Sequence, residues 1–182
     1  MVQLKDKVFD ILIPEEKLLT RIQNMAEQIS QDYVDKLPMF LAVLNGSFMF
    51  AADLLKHITI PCEISFVKVA SYQEIHSTGK LTQLIGLSDE VRGRHIIILE
   101  DIVDTGITIE GIVNDLHKKN PTSIQIATLL HKPDAYAKQL PLQYIGFSIP
   151  NQFVVGYGLD YDQLGRNLKD IHVLQEDRRN ML

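Results

Sequence analysis

Ile96-Ile97-Ile98-Leu99-Glu100-Asp101-Ile102-Val103-Asp104-Thr105-Gly106-Ile107-Thr108-Ile109-Glu110-Gly111-Ile112 is the stretch whose reading decides the fold. Ile96 to Leu99 is a continuous apolar run of the kind found in a strand buried on both faces, as in the parallel sheet of an α/β domain. It meets two adjacent carboxylates, Glu100 and Asp101, where the strand is expected to stop. A short turn with Asp104, Thr105, Gly106 and Thr108 follows, and a helical pattern begins at about Thr108. Open α/β sheets bind ligands at this position, outside the carboxyl ends of their strands. The start of a helix adds unpaired backbone N–H groups and a positive dipole end, both suited to phosphate. The stretch therefore predicts a sugar-phosphate site. Its plainer reading is an acidic loop in which Asp104 or Thr105 merely caps the helix. Against that, Glu100, Asp101 and Asp104 crowd three carboxylates together, which repel unless cations or hydroxyl donors lie among them. Ribose hydroxyls and Mg²⁺ would supply that compensation. Neither a Gly-x-x-x-x-Gly-Lys-Ser/Thr loop nor a Gly-x-Gly-x-x-Gly fingerprint occurs.

Towards the N-terminus, Pro14-Glu15-Glu16 suits the first turn of a helix, and Leu18, Leu19, Ile22, Met25, Ile29 and Tyr33 recur at helical spacing. Met39 to Leu44 reads as a short strand, Asn45-Gly46 as a turn, and Ser47 as the cap of a helix from Phe48 to His57. A strand from about Glu63 to Ser71 is expected to turn Ile64 and Phe66 inward. Tyr72 to Lys80 is polar and reads as a loop, and Leu81 to Leu87 as an antiparallel return strand. Towards the C-terminus, the central helix should end near Lys119, by Asn120-Pro121. Ile124 to Leu130, Tyr144 to Ile149, Phe153 to Gly156 and His172 to Leu174 are further strand-like runs. The pattern predicts an α/β fold with a largely parallel core sheet.

A chain of 182 residues with 46% hydrophobic and 23% charged residues is most simply one domain with a full core. The formal charge of −5 and pI near 5.6 argue against a nucleic-acid or anionic-membrane binder. Cys62 is the lone cysteine, so no internal disulfide can form and a reducing compartment is expected. Met1 to Asp10 mixes lysines and aspartates and does not read as a signal peptide, and no apolar run approaches the ~20 residues of a membrane helix. A cytoplasmic protein is expected.

Glu100 to Ile109 resembles the phosphoribosyl-pyrophosphate signature of type I phosphoribosyltransferases. Further segments resemble the hypoxanthine-guanine branch of that family. They are Leu44-Asn45-Gly46-Ser47-Phe48-Met49-Phe50 (pyrophosphate loop), Ser71-Tyr72 with Ser77-Thr78-Gly79 (flexible loop), Leu129-Leu130-His131-Lys132 (purine recognition), and Phe153 to Tyr161 with Arg166 (purine and pyrophosphate). The resemblance implies a type I phosphoribosyltransferase fold over residues 1–182, with a mostly parallel sheet flanked by helices. It also implies a small hood formed by terminal segments and a flexible β loop at about 72–80.

The implied reaction joins a 6-oxopurine, hypoxanthine and also guanine, to 5-phosphoribosyl 1-pyrophosphate (PRPP), with Mg²⁺. It yields the nucleoside monophosphate and pyrophosphate. By resemblance, Glu100 and Asp101 bind ribose and, with Asp160, the metal. Asp104, Thr105, Gly106, Ile107 and Thr108 hold the 5′-phosphate. Asp104 also takes the purine N7 proton, and is expected to be buried near other carboxylates with a pKa raised toward working pH. Lys132, which would otherwise read as a surface lysine, is implied to donate to the purine O6. Phe153 is implied to stack on the ring, with Val154 and Asp160 also in the base site, and Asn45, Gly46 and Arg166 to meet pyrophosphate. The chain departs from many relatives in having Asn45 where they carry lysine, and in Ile107 where some do. A cis peptide in the pyrophosphate loop is usual in the family, and Asn45-Gly46 is left open for it. A homodimer or homotetramer is implied. The rivals are a xanthine-preferring or pyrimidine phosphoribosyltransferase, and a non-catalytic PRPP-binding regulator of the same fold.

Overall fold

The computed structural model describes residues 1–70, 82–85 and 91–175. Its larger sheet grows outward from the central apolar run. That run lies in β6 (His95–Val103), which pairs in parallel with β3 (Met39–Leu44) on one side and β7 (Ser123–His131) on the other. Beyond β3 come β4 (Glu63–Ala70), parallel, and β5 (Thr82–Ile85), antiparallel; beyond β7 comes β8 (Tyr144–Ser148), parallel. The order is β5-β4-β3-β6-β7-β8.

Helices α1 (Glu15–Asp32) and α2 (Phe48–His57) cover one face of this sheet, and α3 (Ile107–His117) covers the other. Successive strand residues point to opposite faces, so Ile97 and Leu99 join the core under α1 and α2 while Ile96 and Ile98 join the core under α3. All four are fully buried. Burial on both faces is why the run carries no polar residue.

The strand does not end at Glu100, as expected from the side chains. It pairs with β7 through Glu100, Ile102 and Val103, because a sheet ladder joins backbone groups and is indifferent to side-chain polarity. Ile64 and Phe66 are a second correction. Their register partners Phe40 and Ala42 face α1 and α2, but β4 lies toward the rim of the sheet, beyond this cover. Both side chains are consequently 41% exposed, while Val67 is buried.

A smaller antiparallel sheet of order β1-β2-β10-β9 is built from β1 (Val2–Leu4), β2 (Lys7–Ile13), β9 (Val154–Val155) and β10 (Ile171–Leu174). It is the expected hood of terminal segments, although composition alone gave no strand before Pro14. Ile13, Val154, Tyr157, Ile171 and Val173 join it to the core under α1 and α2. Residues 71 and 72 and the rest of the expected flexible loop lie outside the described residues.

Candidate active site

Strand order reverses between β3 and β6: from β3 the chain moves to β4, and from β6 to β7. Ligands of open α/β sheets bind at such a switch point. The loop after β3 packs there on the carboxyl-terminal part of β6. Asn45 is exposed, whereas Gly46 and Ser47 are buried. The cis peptide of this loop is Leu44–Asn45, one bond before the position left open. Ser47 precedes α2 but makes no side-chain cap; its hydroxyl instead donates to the Val43 carbonyl at 2.7 Å.

Gly46 is required by close approach. A Cβ there would overlap the Asp101 carboxylate, so the pyrophosphate loop of the resemblance is packed directly on an acidic side chain of β6. Asp101 accepts from the Ile102 N–H at 3.0 Å. Burial drives its carboxyl up to about 6, opposed by backbone hydrogen bonding and Arg166 and aided by Asp160. Glu100 is 7% exposed, and its Oε2 has no hydrogen-bond partner among the described residues. Burial first, and then Asp101, push its carboxyl well above the usual range. A buried carboxylate with an unpartnered oxygen, beside the half-buried Asp101, suits a cation or hydroxyl donors.

A cleft of about 250 Å³ is lined by Glu100 through Ile109, which includes Asp104, Thr105, Gly106, Ile107 and Thr108. Gly106 is the residue before α3, at φ 84°, and α3 begins at Ile107, one residue earlier than expected. The first intrahelical bond is Glu110 N–H to Gly106 carbonyl at 3.0 Å, so the preceding N–H groups have no acceptor within the helix. Ile107 is 62% exposed, and its N–H donates to the Thr105 hydroxyl at 3.5 Å.

Lys132 follows β7 and is 7% exposed, so it is no surface lysine. Its Nζ donates to Asp104 Oδ2 at 2.9 Å. The expected burial of Asp104 among carboxylates is not found, because its side chain is 43% exposed and its neighbour is this ammonium. The turn has carried Asp104 off the end of β6, away from Glu100 and Asp101. Phe153 is 41% exposed and Val154 is buried in β9. Asp160 pairs with Arg166 at 2.6 Å, and Arg166 also donates to the Gly158 carbonyl at 2.8 Å. Among the described residues no three His, Cys, Asp or Glu side chains converge as a metal cage, so Glu100, Asp101 and Asp160 do not meet at one point.

Sequence reading missed the contacts that hold the two halves together. Tyr157, 1% exposed, donates its hydroxyl to Asp53 of α2, and burial with this bond raises the phenol further above its ordinary range. A Cβ on Gly158, at φ 101°, would overlap the Gly46 carbonyl. Tyr136 packs against Gly106, and Lys138 bonds Glu110 in the first turn of α3 at 2.7 Å. The paired glycines of Gly156-Tyr157-Gly158 were the one local signal of close packing.

Comparison with known proteins agrees in range and branch. Residues 11–162 match the family described as phosphoribosyl transferase domain. The chain is 40% identical over 169 residues to a hypoxanthine phosphoribosyltransferase of Haemophilus influenzae, covering 91% of this chain and 94% of that one. It is 38% identical over 171 residues to a hypoxanthine-guanine phosphoribosyltransferase of Mycobacterium tuberculosis, covering 90% and 85%. A crystal structure of a hypoxanthine-guanine phosphoribosyltransferase from Bacillus anthracis superposes with a TM-score of 0.86 at 36% identity, covering 92% and 98%. The hypoxanthine phosphoribosyl transferase of Trypanosoma cruzi also superposes with 0.86, at 34% identity over 99% and 98%.

Proposed function

Since this chain belongs to the phosphoribosyltransferase family, in its hypoxanthine and hypoxanthine-guanine branch, we propose the following division of the reaction among its residues. The enzyme joins a purine base to PRPP and releases pyrophosphate, acting on hypoxanthine and guanine. The bond formed is from a ring nitrogen of the base to ribose C1, and the bond broken is C1 to pyrophosphate oxygen. Positive charge grows on the ribose and negative charge on the leaving group. Catalysis therefore needs rigid placement of the sugar and neutralisation of the departing charge.

The single observation that carries the residue assignment is the Lys132–Asp104 pair at 2.9 Å beside the cleft. It presents an ammonium donor and a carboxylate acceptor side by side. The O6 acceptor and N7–H donor of a 6-oxopurine complement those two groups. Asp104 accepts the N7 proton as the attacking nitrogen loses electron density. Adenine offers an amino donor where Lys132 requires an acceptor. Phe153 stacks on the ring, and the backbone of Val154 meets its edge. The turn Asp104 to Thr108 receives the 5′-phosphate at the start of α3, and Glu100 and Asp101 hold the ribose hydroxyls. Asn45, Gly46 and Arg166 face pyrophosphate, with Asn45 donating hydrogen bonds without adding charge.

The donor set fits Mg²⁺. Its oxygens are hard ligands, and the unpartnered Glu100 Oε2 and strained ionisation of Asp101 are what a cation relieves. Mg²⁺ keeps several waters and binds through one or two carboxylates plus substrate phosphates, so no three-residue cage is needed. Glu100, Asp101 and, through water, Asp160 are the residues to hold it. When bound it neutralises charge on the leaving pyrophosphate.

The whole of 1–182 is read as one phosphoribosyltransferase unit working in the cytoplasm. No described helix is long and apolar enough to cross a membrane. Its assembly is a homodimer or homotetramer, and exposed Phe48, Ile64 and Phe66 suit a contact with a second copy. The decisive experiment is a parallel assay of PRPP with hypoxanthine, guanine, xanthine and adenine. Turnover with hypoxanthine and guanine is expected; turnover with adenine alone, or with none, would overturn the reading.

A further inference from the structure

The β1–β2 turn does something the reaction itself does not require: it pins the loop after β9. Lys5 forms an ion pair with Asp162, and Asp6 Oδ1 accepts from the Tyr161 hydroxyl at 2.8 Å. Lys7 lies 5.8 Å from the Tyr161 ring centre. Three successive residues of one hairpin thus grip two successive residues of another segment. Tyr161 is also tied locally, exchanging backbone hydrogen bonds with Leu164 at 2.9 and 3.0 Å.

The gripped tyrosine touches the ring assigned to the base. Tyr161 and Phe153 meet edge to face, with centroids 5.9 Å apart at 83°. Fully buried Phe9 of β2 completes a triangle, 6.2 Å from Phe153 and 6.2 Å from Tyr161. These separations lie in the range of favourable aromatic pairs. Phe153 is held from the backbone side as well, since its carbonyl accepts from the Leu174 N–H of β10 at 3.0 Å, and Leu174 is the register partner of Phe9. Yet 41% of Phe153 stays exposed. A ring braced on two sides and open on another is a preformed stacking surface, and bracing removes the side-chain freedom that binding would otherwise have to freeze.

We propose that Tyr161, anchored by the β1–β2 turn and backed by Phe9, is a positioning residue that fixes the Phe153 ring for the purine. The idea rests on the reading that Phe153 stacks on the base. It gives the N-terminal hairpin a part in base affinity, although the hairpin contributes no residue to the cleft.

The test is steady-state kinetics on Tyr161→Ala, Tyr161→Phe, Phe153→Ala and the Tyr161→Ala/Phe153→Ala double variant. Tyr161→Ala should raise KM for hypoxanthine about three- to tenfold, with kcat and KM for PRPP unchanged. Tyr161→Phe, which keeps the ring and loses only the bond to Asp6, should recover most of that loss. In the Phe153→Ala background Tyr161→Ala should add nothing, because its effect passes through Phe153. An equal rise in KM for PRPP would mean Tyr161 acts through neighbouring Asp160 and would overturn the idea. So would additive effects in the double variant, or a silent Tyr161→Ala beside a damaging Phe153→Ala. A silent Phe153→Ala would sink the stacking assignment itself, whatever Tyr161 does.

Discussion

The two sides of the proposed site are built in opposite ways. The sugar-phosphate side comes from one continuous piece of chain, Glu100 to Ile109, laid out by a strand, a turn and a helix start. On the proposed assignment, the base side is assembled from Lys132 after β7 and Phe153 and Val154 at β9, with β1 and β2 bracing it from behind. A local motif can be read from spacing, because its geometry is that of adjacent residues. An assembled surface exists only once the hood has docked on the sheet. The two sides meet at Asp104, which belongs to the local motif by sequence and to the base side by its bond to Lys132.

That meeting point gives the largest expected effect. Asp104→Asn should lower kcat by about 10²- to 10⁴-fold, the usual range for a lost general base, with KM for PRPP changed little. Near-normal kcat would remove Asp104 from the chemistry and restore a clean division between the two sides. Next, Lys132→Met should raise KM for hypoxanthine about 10- to 100-fold while sparing PRPP, since a hydrogen bond to a charged group is lost. It should also narrow the preference over adenine; comparing kcat/KM for the two bases measures this.

Gly46→Ala should act on the opposite side. Its Cβ would displace the Asp101 carboxylate, so KM for PRPP should rise by roughly tenfold while hypoxanthine binding in the absence of PRPP is kept. A selective effect on the base would show that the two sides of the site are not separable at Gly46. The smallest effect concerns stability. Asp101 titrates near 6 in the folded chain against an ordinary value of 3.8, so the folded state holds its proton more tightly. Its favourable contribution is full below about pH 3.8 and is lost as pH rises through 6. With metal chelated, Asp101→Asn should therefore raise Tm by roughly 6–12 °C at pH 8 and have little effect at pH 4, as measured by scanning calorimetry.

How much the sequence disclosed follows the same division. Ile96 to Leu99 announced a central strand because burial on both faces leaves a composition that few other settings produce. Its end was misplaced because Glu100 and Asp101 are polar, while the backbone ladder runs on to Val103. Ile64 and Phe66 showed that apolar alternation marks a strand face without saying whether anything covers it. The β1–β2 hairpin was illegible because its turn uses Lys5 at φ 52° and Asp6 in place of the usual asparagine-glycine signal. Lys132 could be assigned by family likeness, but its burial depends on a fold that spacing does not reveal. The Tyr157–Asp53 bond spans 104 positions, and no local rule pairs residues that far apart.

The contact between Gly158 and the Gly46 carbonyl has a thermodynamic consequence. Two backbones in such contact cannot shift independently, so a pyrophosphate group that moves the loop after β3 also moves the segment after β9. Each substrate must then alter the other's dissociation constant, and linkage requires the factor to be the same in both directions. If the proposed site assignment holds, cooperativity between PRPP and base would arise at a place where two main chains touch and neither has a side chain to yield.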